Sequence, residues 1–289
     1  MIIGVDLGGT NIRAGLEHEG SIIRQESRLL VDKDSLSSTL QQLIELIRPL
    51  FNEEITGIGV GVPSVVDVEK GIVYDVVNIP SWKRVELKDI LEKEFGVPVF
   101  VNNDVNCFTL GEFHFGIGQS FNSLVGITLG TGLGSGIIVN GELHAGHNCG
   151  AGEIGMLPYL DSNFEQYTSG RFFELLHGIS AHKAYEAAQA GDRTALGQWA
   201  EFGTHLGQVV KAILYTYDPQ AIVLGGSITK AYPFFKCAMQ EALQDFAYPE
   251  SIRNLNVLQT QNEGIALLGA AALAHSQLRK QVASISTFG

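Results

Sequence analysis

The residues best suited to chemistry in this 289-residue sequence lie in three glycine turns and two carboxylate clusters. The first turn is in "I-I-G-V-D-L-G-G-T-N-I-R-A-G-L" (2–16), where Asp6 ends an apolar strand just before Gly8, Gly9, Thr10 and Asn11. The second is "T-L-G-T-G-L-G-S-G" (128–136). Its glycines, Gly130 and Gly132 among them, let backbone N–H groups approach an anion, and Thr128 and Thr131 add hydroxyl donors. The third, Gly225–Gly226 in "A-I-V-L-G-G-S-I" (221–228), offers a flat surface without side chains, suited to a nucleobase or ribose. If the three turns line one site, Asp6 has a purpose. A carboxylate beside phosphates is repelled unless a cation such as Mg2+ stands between them, held directly or through water. A Walker A loop is excluded, because no Gly-Lys pair occurs in the chain. A Rossmann fingerprint is excluded too, since 128–136 leads into the strand residues Ile137, Ile138 and Val139 rather than a helix. Taken alone, each turn also reads as an ordinary strand connection.

The carboxylates suit a hydroxyl-bearing substrate. "V-P-V-F-V-N-N-D-V-N" (97–106) is a strand that delivers Asn102, Asn103, Asp104 and Asn106 at its end, where open α/β sheets place their sites. Asp104 can accept the proton of an attacking alcohol while Asn103 fixes a neighbouring hydroxyl; helix capping is the other reading of the same residues. Glu153, in "H-N-C-G-A-G-E-I-G-M" (147–156), and Glu165, in "N-F-E-Q-Y-T-S-G", can each accept several hydroxyl bonds from a neutral polyol. Both also read as loop acids in a chain with 31 acidic residues. His144 and His147 read as polar loop residues rather than metal ligands.

Strands are expected at Ile2–Val5, Ile12–Leu16, Ile22–Leu30, Ile58–Val62, Val97–Val101, Leu124–Thr128, Gly136–Val139 and Ala221–Leu224. Helices are expected at Ser35–Leu50, with Leu36, Leu40, Leu43, Ile44 and Ile47 on one face, at Glu86–Phe95 before Gly96, and from Glu165 to Tyr217. That alternation predicts an α/β fold. "V-D-L-G-G-T-N" (5–11) and "I-T-L-G-T-G-L" (127–133) are two copies of one strand–turn–strand unit. They predict two related lobes facing a cleft, with a boundary near 115–123. The lobes are taken as 1–117, joined by the tail at about 275–289, and 118–274.

A net charge of −12 and a pI near 5.1 argue against a nucleic-acid or anionic-membrane partner. Cys107, Cys149 and Cys237 are scattered, too few for a thiolate zinc site and unsuited to a disulfide framework. No signal peptide is read at the start, and the apolar run from Gly264 is too short to span a bilayer. A soluble cytoplasmic protein is expected.

Taken in order, "D-L-G-G-T-N", "G-V-G-V-P-S", "N-I-P-S-W", "N-D-V-N", "T-L-G-T-G-L-G-S-G", "G-A-G-E-I-G" and "D-P-Q-A-I-V-L-G-G" resemble the ROK family of bacterial sugar kinases and sugar-responsive repressors over essentially the whole chain. The resemblance implies a two-lobed actin/Hsp70/hexokinase-like (ribonuclease H-like) fold with ATP in the cleft. By the same resemblance, Asp6 and the turn of Gly8, Gly9, Thr10 and Asn11 face the ATP phosphates, with Mg2+ held by Asp6. Thr128, Gly130, Thr131 and Gly132 cradle those phosphates, and Gly225 and Gly226 lie against the adenosine. Asp104 is the implied general base for a sugar hydroxyl, usually O6, with Asn103, Glu153 and Glu165 on other hydroxyls and Asn78 closing over the sugar. A homodimer or higher homo-oligomer is implied as well.

Two positions depart from the family pattern, both on the acceptor side. Met156 stands where relatives have a histidine that touches the sugar, and "L-P-Y-L-D-S-N-F-E" (157–165) lacks the cysteines that bind structural zinc, so no zinc is expected. Ser64 stands where relatives often have glycine. The repressor branch carries a helix-turn-helix ahead of its first phosphate motif, which here begins at Asp6, so DNA binding is not expected. The resulting expectation is an ATP- and Mg2+-dependent hexose or N-acetylhexosamine kinase, with glucose first. The alternatives are a non-catalytic sugar-binding regulator and a kinase using polyphosphate, which the acidic composition does not favour.

Overall fold

A computed structural model of the chain describes residues 1–147 and 149–286, with side chains described to 281. Residues 287–289 of the expected tail, and Asn148 of the 147–156 stretch, lie outside the described residues. The chain divides into two compact units, one of 1–119, 143–151 and 261 onward, the other of 120–142 and 152–260.

The first unit opens with β1 (Ile2–Leu7), β2 (Asn11–His18), β3 (Ser21–Leu29), α1 (Leu36–Ile47) and β4 (Gly57–Val62). A small antiparallel sheet of β5 (Val65–Asp67), β6 (Ile72–Tyr74) and β7 (Arg84–Glu86) follows, then α2 (Leu87–Phe95), β8 (Val99–Asn103) and α3 (Asp104–Phe115). The second unit holds β9 (Leu124–Leu129), β10 (Leu133–Val139), β11 (Glu142–Leu143, straddling the division), the hairpin β12 (Pro158–Tyr159) and β13 (Ser162–Asn163), and helices α4 (Phe164–Thr168), α5 (Gly170–His177), α6 (Ala181–Gln189) and α7 (Arg193–Tyr217). It ends with β14 (Ala221–Gly225), α8 (Tyr232–Glu241), α9 (Pro249–Asn254) and β15 (Asn256–Gln259). The last helix, α10 (Ile265–Ser286), belongs to the first unit.

The two large sheets have one topology. The first runs β3-β2-β1-β4-β8 and the second β11-β10-β9-β14-β15. In each, an antiparallel hairpin (β1/β2 or β9/β10) is extended by two strands parallel to its first member. The internal repeat read from the sequence is therefore a repeat of whole sheets. Parallel neighbours need long crossovers, and in the second unit α4–α7 and then α8–α9 supply them.

The chain returns to the first unit at Gln261, earlier than the expected 275, because all of α10 packs there. Ala270, Ala271 and Ala274 on its buried face are wholly enclosed. A Cβ at Gly4 of β1 would lie 2.0 Å from the Leu267 carbonyl oxygen, and one at Gly59 of β4 would lie 1.7 Å from that of Ala270. Only glycine allows so close an approach of helix to sheet. The apolar run from Gly264 is thus a core helix, and no helix among the described residues is long and apolar enough to cross a membrane.

Local signals explain most boundaries. Ser35 caps α1 by accepting from the Ser38 N–H, and Gly96 ends α2 in the left-handed region at φ +70°. The 165–217 stretch breaks into four helices, with Ser169, Ser180 and Asp192 as side-chain caps of α5, α6 and α7. Two strand expectations shift. The strand expected at 97–101 is Val99–Asn103, since Pro98 has no N–H for the ladder. α3 begins at Asp104 itself, and β10 begins at Leu133, which shortens the glycine turn to Gly130–Gly132.

Candidate active site

In the first unit Asp6 lies near the carboxyl end of β1, directly opposite Arg13 on β2. Paired residues of an antiparallel ladder share one face, and two Arg13 bonds, from Nε (3.1 Å) and Nη2 (2.6 Å), go to Oδ2 of Asp6, while Nη1 donates to the Glu263 carbonyl at 3.4 Å. The turn that follows is closed by the Gly8 N–H donating to the Asn11 carbonyl at 2.9 Å. The Thr10 carbonyl accepts from the Leu30 N–H, and the Lys33 ammonium donates to the Gly9 carbonyl. Asn78 packs on this turn: a Cβ at Gly9 would lie 2.5 Å from the Asn78 Cβ.

The residues expected on the acceptor side, Asn103 and Asp104, sit at the end of β8. Asn103 is the N-cap of α3, its Oδ1 accepting from the Val105 N–H (2.9 Å) and the Asn106 N–H (3.4 Å). Its Nδ2 donates to the Ser64 carbonyl at 3.4 Å. The capping reading therefore holds, with the amide nitrogen turned to Ser64. The Ser64 hydroxyl donates to the Tyr74 carbonyl, which joins the 62–64 turn to β6. Asp104 is the first helical residue, and one of its carboxylate oxygens accepts from the Val105 N–H at 2.9 Å. Behind it, buried Asn102 Oδ1 accepts from the Asn103 N–H (2.8 Å), Asn106 Nδ2 (2.9 Å) and the Cys149 thiol (3.1 Å). Burial first, then the charges of Asp104 and Asp6, push the Cys107 thiol well above its usual range. Strand register puts the two aspartates at one end of this sheet: Asp6 pairs with Gly61 of β4, Gly61 with Asn102 of β8, and Asp104 follows Asn103.

In the second unit the Gly130 N–H donates to the Gly132 carbonyl at 3.0 Å, and the Gly170 N–H donates to the Gly130 carbonyl at 2.7 Å. Thr128 faces Gly225 across the parallel pair β9/β14. Gly226 has φ +87°, and a Cβ there would stand 2.2 Å from the Leu129 carbonyl oxygen, so only glycine fits. A cavity of about 240 Å³ adjoins this turn, lined by Tyr185, Trp199, Ser227, Ile228 and Lys230 among others.

Glu165 lies in the first turn of α4, which Asn163 caps by accepting from the Gln166 N–H. It reaches into the glycine turn: Oε2 accepts from the Leu133 N–H at 3.2 Å, and Oε1 is 3.5 Å from Arg171 Nη1. Glu153 precedes a short 3-10 turn and is exposed; desolvation of its carboxyl and then the Glu165 charge raise its pKa. Between them, where the cysteines are missing, stands the β12/β13 hairpin. Tyr159 stacks on Phe164 (centroids 4.6 Å apart) and shares a 3.0 Å hydrogen bond with His205 Nδ1, while Tyr167 donates to Asp161. Met156 is largely exposed.

The first unit thus carries Asp6, Gly8, Gly9, Thr10, Asn11, Asn78, Asn103 and Asp104. The second carries Thr128, Gly130, Thr131, Gly132, Glu153, Glu165, Gly225 and Gly226. Sequence reasoning missed Arg13, Lys33 and Arg171. Arg171 did leave a signal, as the first lysine or arginine after Lys93. Among the described residues no cluster of three or more histidine, cysteine or acidic side chains is arranged to hold a metal ion.

A profile of the ROK family matches residues 2–277. Glucokinase of Thermotoga maritima is 29% identical, over 96% of this chain and 98% of its own. The xylose repressor of Bacillus spizizenii is 29% identical, over 86% of this chain and 70% of its own. Among solved structures, a ROK family glucokinase from Streptomyces griseus in complex with glucose and AMPPNP superposes with a TM-score of 0.79. It is 27% identical, over 95% of this chain and 99% of that one.

Proposed function

This chain belongs to the ROK family and is a sugar kinase of the actin/hexokinase-like fold, and we propose that it transfers the terminal phosphoryl group of ATP to a hexose or N-acetylhexosamine hydroxyl, O6 of glucose first. The observation that carries this reading is the position of Asp104, the first residue of α3 at the carboxyl end of β8, sharing by strand register a sheet end with Asp6. In the reaction the sugar oxygen attacks the γ-phosphorus as its proton passes to Asp104. The new P–O bond forms while the bond to ADP breaks. Asn103, Glu153 and Glu165 orient the other sugar hydroxyls. The Gly130–Gly132 turn takes the phosphates, and the cavity beside Gly226 takes the base.

The residues present fit Mg2+ carried with ATP. That ion is usually held by one or two carboxylates, phosphates and water rather than by an all-protein cage. The two bonds from Arg13 to Asp6 both use Oδ2, leaving Oδ1 for the ion or its water. When bound, Mg2+ offsets the charge that develops on the phosphoryl oxygens. Arg13 and Lys33 hold the Asp6 side chain and the Gly9 carbonyl in place.

The test is ADP release from MgATP across glucose, fructose, N-acetylglucosamine and N-acetylmannosamine, with no-sugar and Asp104→Asn controls. Release with one sugar, lost in the variant, is expected. Silence across the panel, with sugar still bound, would favour a sugar-binding regulator instead.

A further inference from the structure

We propose that Arg171 binds the donor phosphates, and that Glu165 competes with those phosphates for Arg171 until sugar engages the carboxylate; this rests on the kinase reading above. A triphosphate carries several negative charges, and backbone amides alone offset them poorly in the absence of a P-loop lysine. From residue 94 to residue 170, a stretch holding the glycine turn, Asp104, Glu153 and Glu165, the sequence has no lysine or arginine. Arg171 ends that gap, and the fold brings it to the glycine turn. The Gly170 N–H donates to the Gly130 carbonyl at 2.7 Å. A Cβ at Gly170 would lie 3.3 Å from that oxygen and 3.8 Å from the Thr131 Cα. Arg171 is therefore tethered one residue from the turn that would receive the phosphates.

Its present partner is a poor one. The Glu165 oxygen is 3.5 Å from the guanidinium, beyond good hydrogen-bond length, and the arginine side chain is 55% exposed. Such a pair is weak and easily exchanged, whereas a guanidinium and a phosphate form charge-assisted, often bidentate bonds. Glu165 meanwhile occupies the Leu133 N–H with its other oxygen. It holds the amide and the cation that a phosphate group would take. Sugar hydroxyls donating to Glu165 satisfy its oxygens and loosen that hold. The donor then binds better to the sugar-loaded protein, which limits hydrolysis of ATP when sugar is absent.

The experiment measures ATP and adenosine binding by calorimetry, with and without sugar, and steady-state kinetics, for the wild type, Arg171→Met, Arg171→Lys and Glu165→Gln. Arg171→Met should weaken ATP binding and lower donor kcat/KM by about ten- to a hundredfold, the loss of a hydrogen bond between charged groups. Adenosine binding should be unchanged and Arg171→Lys should recover part of the loss. Glu165→Gln should bind ATP more tightly than the wild type when sugar is absent. If Arg171→Met keeps ATP affinity within twofold while sugar KM rises, the residue serves only to hold Glu165 and the proposal is overturned. Should the wild type turn over no sugar, the kinase reading fails on its own, and the ATP-against-adenosine comparison still decides whether Arg171 binds phosphate.

Discussion

Replacing Gly130 by alanine separates the fold from the proposed phosphate-binding turn. Beyond its two chain neighbours, no atom lies within 4 Å of where a Cβ at Gly130 would stand, and its φ is not in the left-handed region. The folded chain therefore accepts the methyl group without strain. Stability should hold or rise by a few tenths to about 1 kcal/mol, because alanine narrows the unfolded ensemble. A phosphate drawn against the backbone here would meet the methyl group and lose close contact with the turn. A hydrogen bond to a charged group is worth about 1.5–3 kcal/mol. Losing one corresponds to about a ten- to hundredfold drop in kcat/KM for ATP. Gly132→Ala is the contrasting variant, since its Cβ would fall 2.5 Å from Glu165 Oε2 and displace the carboxylate. It should raise the sugar KM as well as the ATP KM. The assay is a coupled ADP measurement with ATP and sugar varied in turn, beside a thermal melt of each variant. An unchanged ATP KM in a well-folded Gly130→Ala protein would refute the idea that this turn receives phosphates.

Asp104→Asn should lower kcat by at least about a hundredfold, in line with loss of a general base, and leave sugar binding within a few fold; titration calorimetry with sugar checks the second half. Desolvation of the carboxyl first and the Glu165 charge second raise the Glu153 pKa from its ordinary value, so the acid limb of sugar kcat/KM should be shifted upward from that of an ordinary glutamate. In Glu165→Gln the limb should move to lower pH as the like charge is removed, and a limb that stays put would remove Glu165 as a cause. The sign for stability is the opposite of that for an ion-paired acid. The folded state holds this proton more tightly than the unfolded chain, so the Glu153 contribution falls as pH rises from the ordinary carboxylate range through the raised pKa. Glu153→Gln should flatten that part of the melting-temperature profile. Tyr159→Phe removes the hydrogen bond to His205, worth about 1 kcal/mol, and should lower Tm by about 2–4 °C. A chelator should leave the wild-type Tm unchanged, because the hairpin is fastened by Tyr159, Phe164, Tyr167 and His205.

The sequence by itself determined what depends on neighbours along the chain. Glycine turns after β-branched runs, the apolar stripe of α1, the stop at Gly96 and the cap at Asn103 are short-range effects, and each is found where it was read. The repeated strand–turn–strand unit also foretold two sheets of one kind, since similar local signals produce similar strands. Boundaries next to the motifs moved by a few residues, because Pro98 and the β9/β10 ladder decide where pairing starts. Tertiary structure alone decided what meets across long separations. The pairing of Arg13 with Asp6 follows from ladder register, and that of Asn78 with Gly9 from a loop folding back. Cys149 reaches Asn102 only because residues 143–151 pack with the first unit. Glu165 was singled out in the sequence as a candidate polyol-binding acid, but its bond to the Leu133 amide and its nearness to Arg171 left no sequence signal. Those contacts depend on how a five-residue helix is fastened by aromatic rings and caps, and packing of that kind has no periodic trace in a sequence.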